Sequence, residues 1–284
     1  MGRKNLKKVY KYSNHIAVMS VRGGERGQIT IFIIVGVLIV SGIILFFLYR
    51  TNLISNIGIG GRQEANVNAF LNSCLEEKTK EAVRELSIRG GELNPKLSIN
   101  FLFTEEEDYR NISYLCYTQN NFRPCVAQKP AIILDMQNGI KDYISDDVES
   151  CFQEMLSDFK SKGFDVGSDS ELRSFEVKLM PRRILIQTNS EVILTKSDET
   201  TTQKNFEIAI QSRVYELLGI VQEIINGEAQ FCYFEDTGFE VAYPEFLIDK
   251  FNVESGNYIY TIENIDSREK FRFAIRSCGV PPGF

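Results

Sequence analysis

Residues 28 to 49 read QITIFIIVGVLIVSGIILFFLY, with no charged side chain between Gln28 and Tyr49. As a helix rising ~1.5 Å per residue, this stretch is about 33 Å long, enough to cross the ~30 Å hydrocarbon core of a bilayer. It predicts a membrane-spanning helix over residues 28–50, with the lipid bilayer as its first partner. The rest of the chain divides around it. Residues 1–27 form a basic arm on the cytoplasmic side, and residues 51–62, with Gly58, Gly60 and Gly61, form a glycine-rich hinge. Residues 63–284 form an extracytoplasmic domain, which the pattern also allows to be cut into 63–165 and 166–284. A secretory signal has an apolar region of ~7–15 residues and ends at a small-residue cleavage site. Phe46-Phe47-Leu48-Tyr49-Arg50 offers no such site, so the stretch reads as an anchor that stays on the chain.

Charge sets the orientation. The arm holds seven basic residues (Arg3, Lys4, Lys7, Lys8, Lys11, Arg22 and Arg26) against Glu25 alone, and residues 28–284 hold 25 basic and 37 acidic residues. Basic flanks of a membrane helix stay in the cytoplasm, which puts the long acidic part outside. An acidic domain with no basic stripe carrying interleaved aromatics excludes nucleic acid as a partner.

The cysteines give the same orientation by a separate route. Cys74, Cys116, Cys125, Cys151, Cys232 and Cys278 all follow the apolar stretch, and their number is even. In an oxidising compartment they read as three disulfides. The single histidine, His15, lies in the arm, and there is no CxxC pair, so a Cys/His zinc site is not expected. Four patterns then compose an α+β, disulfide-bonded domain of amphipathic helices on antiparallel sheet.

The first is a helix over roughly 63–88. Its apolar positions Val67, Phe70, Leu71, Cys74, Leu75, Ala82, Val83 and Leu86 recur at three- and four-residue steps, and Gly90-Gly91 ends it. The second is a pair of alternating strands, 97–103 and 112–118, separated by Glu105-Glu106-Glu107-Asp108. Four consecutive acids read as a solvated turn, since calcium loops space their ligands at alternate positions. The third is a helix over roughly 136–162, broken near Gly139 or Asp146. Its segment Glu149-Ser-Cys151-Phe-Gln-Glu parallels Leu71-Asn-Ser-Cys74-Leu-Glu-Glu of the first helix. The fourth is a run of strands from Ser174, with turns at Pro181-Arg182 and Asn189-Ser190, then a strand at 206–210. After it come a helix over 213–226 closed by Asn226-Gly227, and a hairpin over 257–276. Two packed helices point to Cys74–Cys151, and a short hairpin to Cys116–Cys125. Cys232 and Cys278 remain as the third pair, although six cysteines allow 15 connectivities.

No catalytic constellation is legible. The ectodomain has no histidine for a Ser-His-Asp or Cys-His arrangement, and no GxSxG elbow occurs. No cofactor or metal ligand set is expected, and the chain does not read as an enzyme. Glu235-Asp236 reads as a charged turn, and Tyr233, Phe234, Phe239 and Tyr243 as an aromatic group that either packs or binds. Asn111-Ile-Ser113 matches a glycosylation acceptor.

One motif carries more specificity. Arg26-Gly27-Gln28-Ile-Thr-Ile-Phe32, a basic segment followed by Gly-Gln and an unbroken apolar helix, resembles the class III signal peptides of archaeal type IV pilin-like proteins. The opening of the helix and the cysteine-bearing segment after it are also similar to a set of uncharacterised single-span archaeal surface proteins. The pilin-like resemblance implies cleavage by a membrane leader peptidase between Gly27 and Gln28. It also implies assembly with other pilin-like subunits through the retained helix. The function expected from it is a non-enzymatic structural or adhesion protein, pilin-like or pseudopilin-like. Two features depart from the pattern. Phe32 stands where many pilins carry a glutamate, and Gly58 to Gly61 interrupt the usual continuous stalk. They motivate the alternative, a tethered ligand-binding or sensing ectodomain that does not polymerise.

Overall fold

The structure is a computed structural model that describes residues 34–41, 43, 66–104, 107–254 and 256–281. Contacts divide the chain into two units, Met1–Glu64 and Ala65–Phe284. In the first, residues 34–41 and 43 are helical, and Val37 and Leu38 expose 63% and 65% of their surface. No helix among the described residues is long and apolar enough to cross a membrane. The rest of the expected span, the arm with Gly27 and Gln28, and the 51–62 hinge lie outside the described residues.

The second unit opens with α1, Val67–Ser87. Asn66 caps it, its side chain accepting the Ala69 N–H at 2.9 Å, which satisfies one of the first-turn donors. Val67, Leu71, Leu75, Ala82, Val83 and Leu86 are buried, as their spacing requires. Gly90 (φ 80°) turns the chain there, and a Cβ on it would lie 2.8 Å from the Cβ of Ser113. Strands β1 (Ser98–Phe101), β2 (Arg110–Tyr117) and the two-residue β3 (Val126–Ala127) follow.

The helical stretch expected over roughly 136–162, with a break near Gly139 or Asp146, is two helices, α2 (Ile132–Tyr143) and α3 (Ser145–Ser161), divided close to Asp146. The break falls at Ile144, which is fully buried, so the apolar stripe runs through it uninterrupted. Gly139 is no break. It lets α2 approach α1, since a Cβ there would meet Leu86 at 3.3 Å.

Next come β4 (Asp165–Val166), β5 (Glu171–Met180), β6 (Arg183–Lys196), β7 (Glu199–Lys204) and β8 (Glu207–Gln211). β6 is the spine of this five-stranded antiparallel sheet, pairing with all four others. The expected turn at Asn189-Ser190 does not form. Thr188 Oγ1 lies 2.7 Å from Ser190 Oγ and accepts the Phe206 N–H at 3.0 Å, so these polar side chains are absorbed within the sheet. The turn at Pro181-Arg182 does form, with Arg182 at φ 64°. β7 falls in the polar run between expected strands. Its residues are mostly exposed on both faces, so no alternation marked it.

Helix α4 (Val214–Phe231) runs past Asn226-Gly227 and ends at Cys232, whose φ is 56°. Gly227 is small because the chain folds back over it: a Cβ there would lie 3.0 Å from the Tyr233 carbonyl oxygen. The short α5 (Asp236–Ala242) and strand β9 (Phe246–Glu254) were not evident in the sequence. They lead to the hairpin of β10 (Asn257–Asn264) and β11 (Lys270–Arg276).

The second sheet is ordered β1-β2-β11-β10-β9, with β3 beside β2. All its pairs are antiparallel except β2 with β11. That parallel pair places early and late strands side by side, and one apolar cluster runs from Val67 to Ile275 across residue 165. α4 lies on the inner face of this sheet. On the other face Ile112, Tyr114, Ile259 and Ala274 form a smaller cluster. Phe101 of β1 and Phe251 of β9 touch with ring centroids 5.0 Å apart. Four flat strand spacings of ~4.8 Å would hold those edge strands about 19 Å apart, so the sheet is strongly curved.

Three disulfides brace the domain: Cys74–Cys151 joins α1 to α3, Cys116–Cys125 joins β2 to the residue just before β3, and Cys232–Cys278 ties the end of α4 to the segment after β11. Their Cα separations of 6.0, 5.3 and 5.8 Å are ordinary for disulfides.

Candidate functional site

A cleft of about 880 Å³ opens where α1, the β5–β6 turn, the start of α4 and the β10–β11 turn meet. α1 lays Glu76, Lys80 and Arg84 along one exposed face at four-residue steps, with Val83 and Ile88 beside them. Arg182 comes from the β5–β6 turn, Gln211, Ser212 and Arg213 from the approach to α4, and Ser267 to Lys270 from the β10–β11 turn. Six basic side chains line it beside Glu76 and Glu269, and Glu77, Glu85, Glu216 and Glu263 lie within ion-pair distance of them, so the charges around the cleft balance.

The start of α4 explains part of this arrangement. The first N–H groups of a helix have no partner within it and carry its positive end. The Glu269 carboxylate sits there, accepting the Ser212 hydroxyl at 2.6 Å and the Arg213 N–H. Ser212 Oγ in turn accepts the Val214 N–H at 3.2 Å. Glu216 in the first turn of α4 accepts the Arg182 N–H at 3.0 Å and Arg213 Nη1 at 3.4 Å. Other basic groups are also committed: Lys80 to Glu76 at 2.6 Å, Arg268 and Lys270 to Glu263 at 3.0 and 3.1 Å. The hydrogen bond that Lys80 donates to Glu76 raises the pKa of Lys80 above the ordinary lysine value. Arg84 reaches only Glu85, at 3.9 Å, and the guanidinium of Arg182 has no partner among the described residues. The Ser212 hydroxyl donates to Glu269, whose carboxylate is also held by the Arg213 N–H.

A second polar group is buried between α4 and its sheet. Glu228 is fully buried and its Oε1 accepts Lys250 Nζ at 2.8 Å and the Tyr260 hydroxyl at 2.5 Å. Burial first, and the bond to Glu228 second, push the Tyr260 phenol far above the usual tyrosine range. Lys250 Nζ lies 4.3 Å from the centre of the Tyr258 ring. Ser277 Oγ donates to the Glu228 carbonyl at 3.0 Å, which links this group to the Cys232–Cys278 bond. Sequence reading passed over Glu228. Its signal was a carboxylate seven residues after Val221 and four after Ile224, on the apolar face of the helix.

Glu235 and Asp236 work locally. Glu235 caps α5 by accepting the Gly238 N–H at 3.3 Å and also accepts the Tyr233 hydroxyl, while Asp236 accepts the Thr237 N–H at 2.9 Å. Phe234, Phe239 and Tyr243 pack ring on ring at 5.6 and 4.6 Å. Asn111 is exposed in β2. Of the acidic run, Glu107 and Asp108 are described, and Glu105 and Glu106 lie outside the described residues. The cleft escaped sequence reading because its arginines come from four separate segments, two of them single positions in tight turns. The chain matches no family model, no curated protein and no solved structure.

Proposed function

We propose that this chain is a membrane-anchored, extracytoplasmic structural or adhesion protein of the pilin-like kind, without catalytic activity. The observation that carries the reading is the bonding of all six cysteines in three bridges, in the part of the chain that follows the apolar stretch. Such bonds persist in oxidising compartments. The charge reversal across residues 28–49 supports the same side of the membrane. Leader processing at Gly27–Gln28 is part of this reading. Mass spectrometry of the mature N-terminus tests it: a chain beginning at Gln28 is expected, and a surface-exposed chain still beginning at Met1 overturns processing.

A specific observation favours a second reading, a tethered ligand-binding ectodomain that does not polymerise. α1 starts at its own cap, Asn66, and a cleft of about 880 Å³ lined by charged and polar side chains lies beside it. Shearing the cell surface and probing the released filaments separates the two. Filaments containing this chain support the pilin-like reading, and filaments lacking it support the tether.

A further inference from the structure

We propose that Lys250 and Glu228 condense into an amide, a covalent cross-link between β9 and α4 that forms inside the folded domain without an enzyme. The inference is independent of the pilin-like and tethered readings, because the bond depends only on the folded domain.

Three observations carry it. The first is contact under burial. Lys250 Nζ lies 2.8 Å from Glu228 Oε1, and the two side chains are 19% and 0% exposed. Lys80–Glu76 and Lys129–Glu92 are as close, at 2.6 and 2.5 Å, but their carboxylates are 43% and 33% exposed and stay hydrated. The second is an orphaned oxygen. Glu228 Oε2 is buried and has no hydrogen-bond partner among the described residues. A buried carboxylate with one oxygen unmet is costly, whereas an amide carries no charge and sheds that oxygen. The third is a donor already in place. Tyr260 pairs with Lys250 across β9 and β10, and its hydroxyl donates to the same Oε1 at 2.5 Å. Burial keeps that phenol protonated, and its ring stacks on Phe273 with centroids 5.5 Å apart, so the donor is held in position.

The chemistry balances with these groups alone. Charge is costly at a buried site, so the Lys250 ammonium passes one proton to the Glu228 carboxylate, leaving an amine beside a carboxylic acid whose hydroxyl is Oε2. The Nζ lone pair adds to Cδ and forms the new N–C bond. The charge that develops on Oε1 is met by the Tyr260 O–H, a donor placed before the reaction begins. A second proton passes from Nζ to Oε2, the Cδ–Oε2 bond breaks, and Oε2 leaves as water. The products are one amide and one water. Packed elements hold the two groups together, which replaces the encounter that free molecules would need. The rings of Tyr258 and Tyr233, centred 4.3 and 5.6 Å from Nζ, shield it from the water that would hydrolyse the bond. The cross-link closes a loop from residue 228 to residue 250 that contains Cys232. It therefore ties α4 to β9 whether or not the Cys232–Cys278 bridge is reduced.

Tryptic mapping by mass spectrometry tests it on the full-length protein, purified folded and then denatured, reduced and alkylated. No lysine or arginine lies between Arg213 and Lys250, or between Lys250 and Arg268, so a free Lys250 gives the peptides 214–250 and 251–268. An amide on Nζ blocks cleavage after Lys250. The expected product is a single peptide, 214–268, lighter than its sequence by one water, with fragmentation placing the link between Glu228 and Lys250. Separate peptides 214–250 and 251–268 at their full masses overturn the proposal. Lys250→Arg keeps a positive charge opposite Glu228 but has no amine to give this bond. It is expected to yield both peptides at full mass, and a water still missing from 214–250 overturns the assignment to Lys250. Tyr260→Phe is expected to slow the accumulation of the linked peptide after refolding by about tenfold or more. An unchanged rate overturns the role given to Tyr260. Lys80–Glu76 is the exposed comparison and is expected to be unlinked; a missing water there overturns burial as the cause.

Discussion

Replacing Cys74 and Cys151 together by alanine is expected to cost the domain about 4.5 kcal/mol, the largest loss among its three bridges. The figure comes from chain entropy. A bridge restricts the unfolded chain, and in the loop model the loss grows with the logarithm of the residues enclosed. Cys74–Cys151 spans 77 residues, Cys232–Cys278 spans 46 and Cys116–Cys125 spans 9. The same expression gives about 4.5, 4.0 and 2.6 kcal/mol in that order. The short bridge is nested inside the longest loop and shortens it by only a few residues, which barely moves a logarithm. Alanine is chosen over serine because Cys151 is buried, and a hydroxyl there would add a desolvation cost unrelated to the bond. Urea unfolding of each paired variant, followed by circular dichroism and extrapolated linearly, gives the three losses on one scale. Equal losses, or the greatest loss from Cys116→Ala with Cys125→Ala, would refute the entropic reasoning.

Further expectations follow from the buried polar groups and one turn. Lys250→Met leaves Glu228 buried opposite Tyr260 alone and should cost about 3–5 kcal/mol in the same urea assay, while adding Glu228→Gln should recover part of it. Burial pushes the Tyr114 phenol up to about 12. Its raised value favours the folded state fully below the unfolded value near 10 and progressively less as pH rises towards 12. Stability should therefore fall over that alkaline window, and Tyr114→Phe should flatten the fall; an unchanged pH profile would contradict the assignment. Gly90→Ala should destabilise by about 1–3 kcal/mol, since the new Cβ meets Ser113 in a left-handed turn; a higher melting temperature would contradict this.

The helices were legible where one face packs. The apolar stripe of α1 and the stripe shared by α2 and α3 announced themselves, and the inward cysteines on α1 and α3 pointed to each other before any geometry was known. Boundaries failed where a residue had a different reason to be there. Asn226-Gly227 looks like a helix stop, but Gly227 is small to admit the Tyr233 carbonyl. Asn189-Ser190 looks like a turn, but Ser190 is buried beside Thr188 in the middle of β6. β9 was missed because its alternation is interrupted: Lys250 points inward to Glu228 while Phe251 is exposed against Phe101. The cleft was invisible for a topological reason. Residues near 80, 182, 213 and 268 meet only after both sheets are formed, and no local pattern connects them.

Everything proposed for function depends on which side of the membrane residues 63–284 occupy. Intact cells treated with a membrane-impermeant amine reagent, followed by peptide mass spectrometry, decide it. Lys78 and Lys204 expose 52% and 58% of their side chains and are expected to be labelled, while Lys4, Lys7, Lys8 and Lys11 are expected to react only after lysis if the arm is retained. Labelling of the arm in intact cells, with Lys78 and Lys204 protected until lysis, would contradict the account.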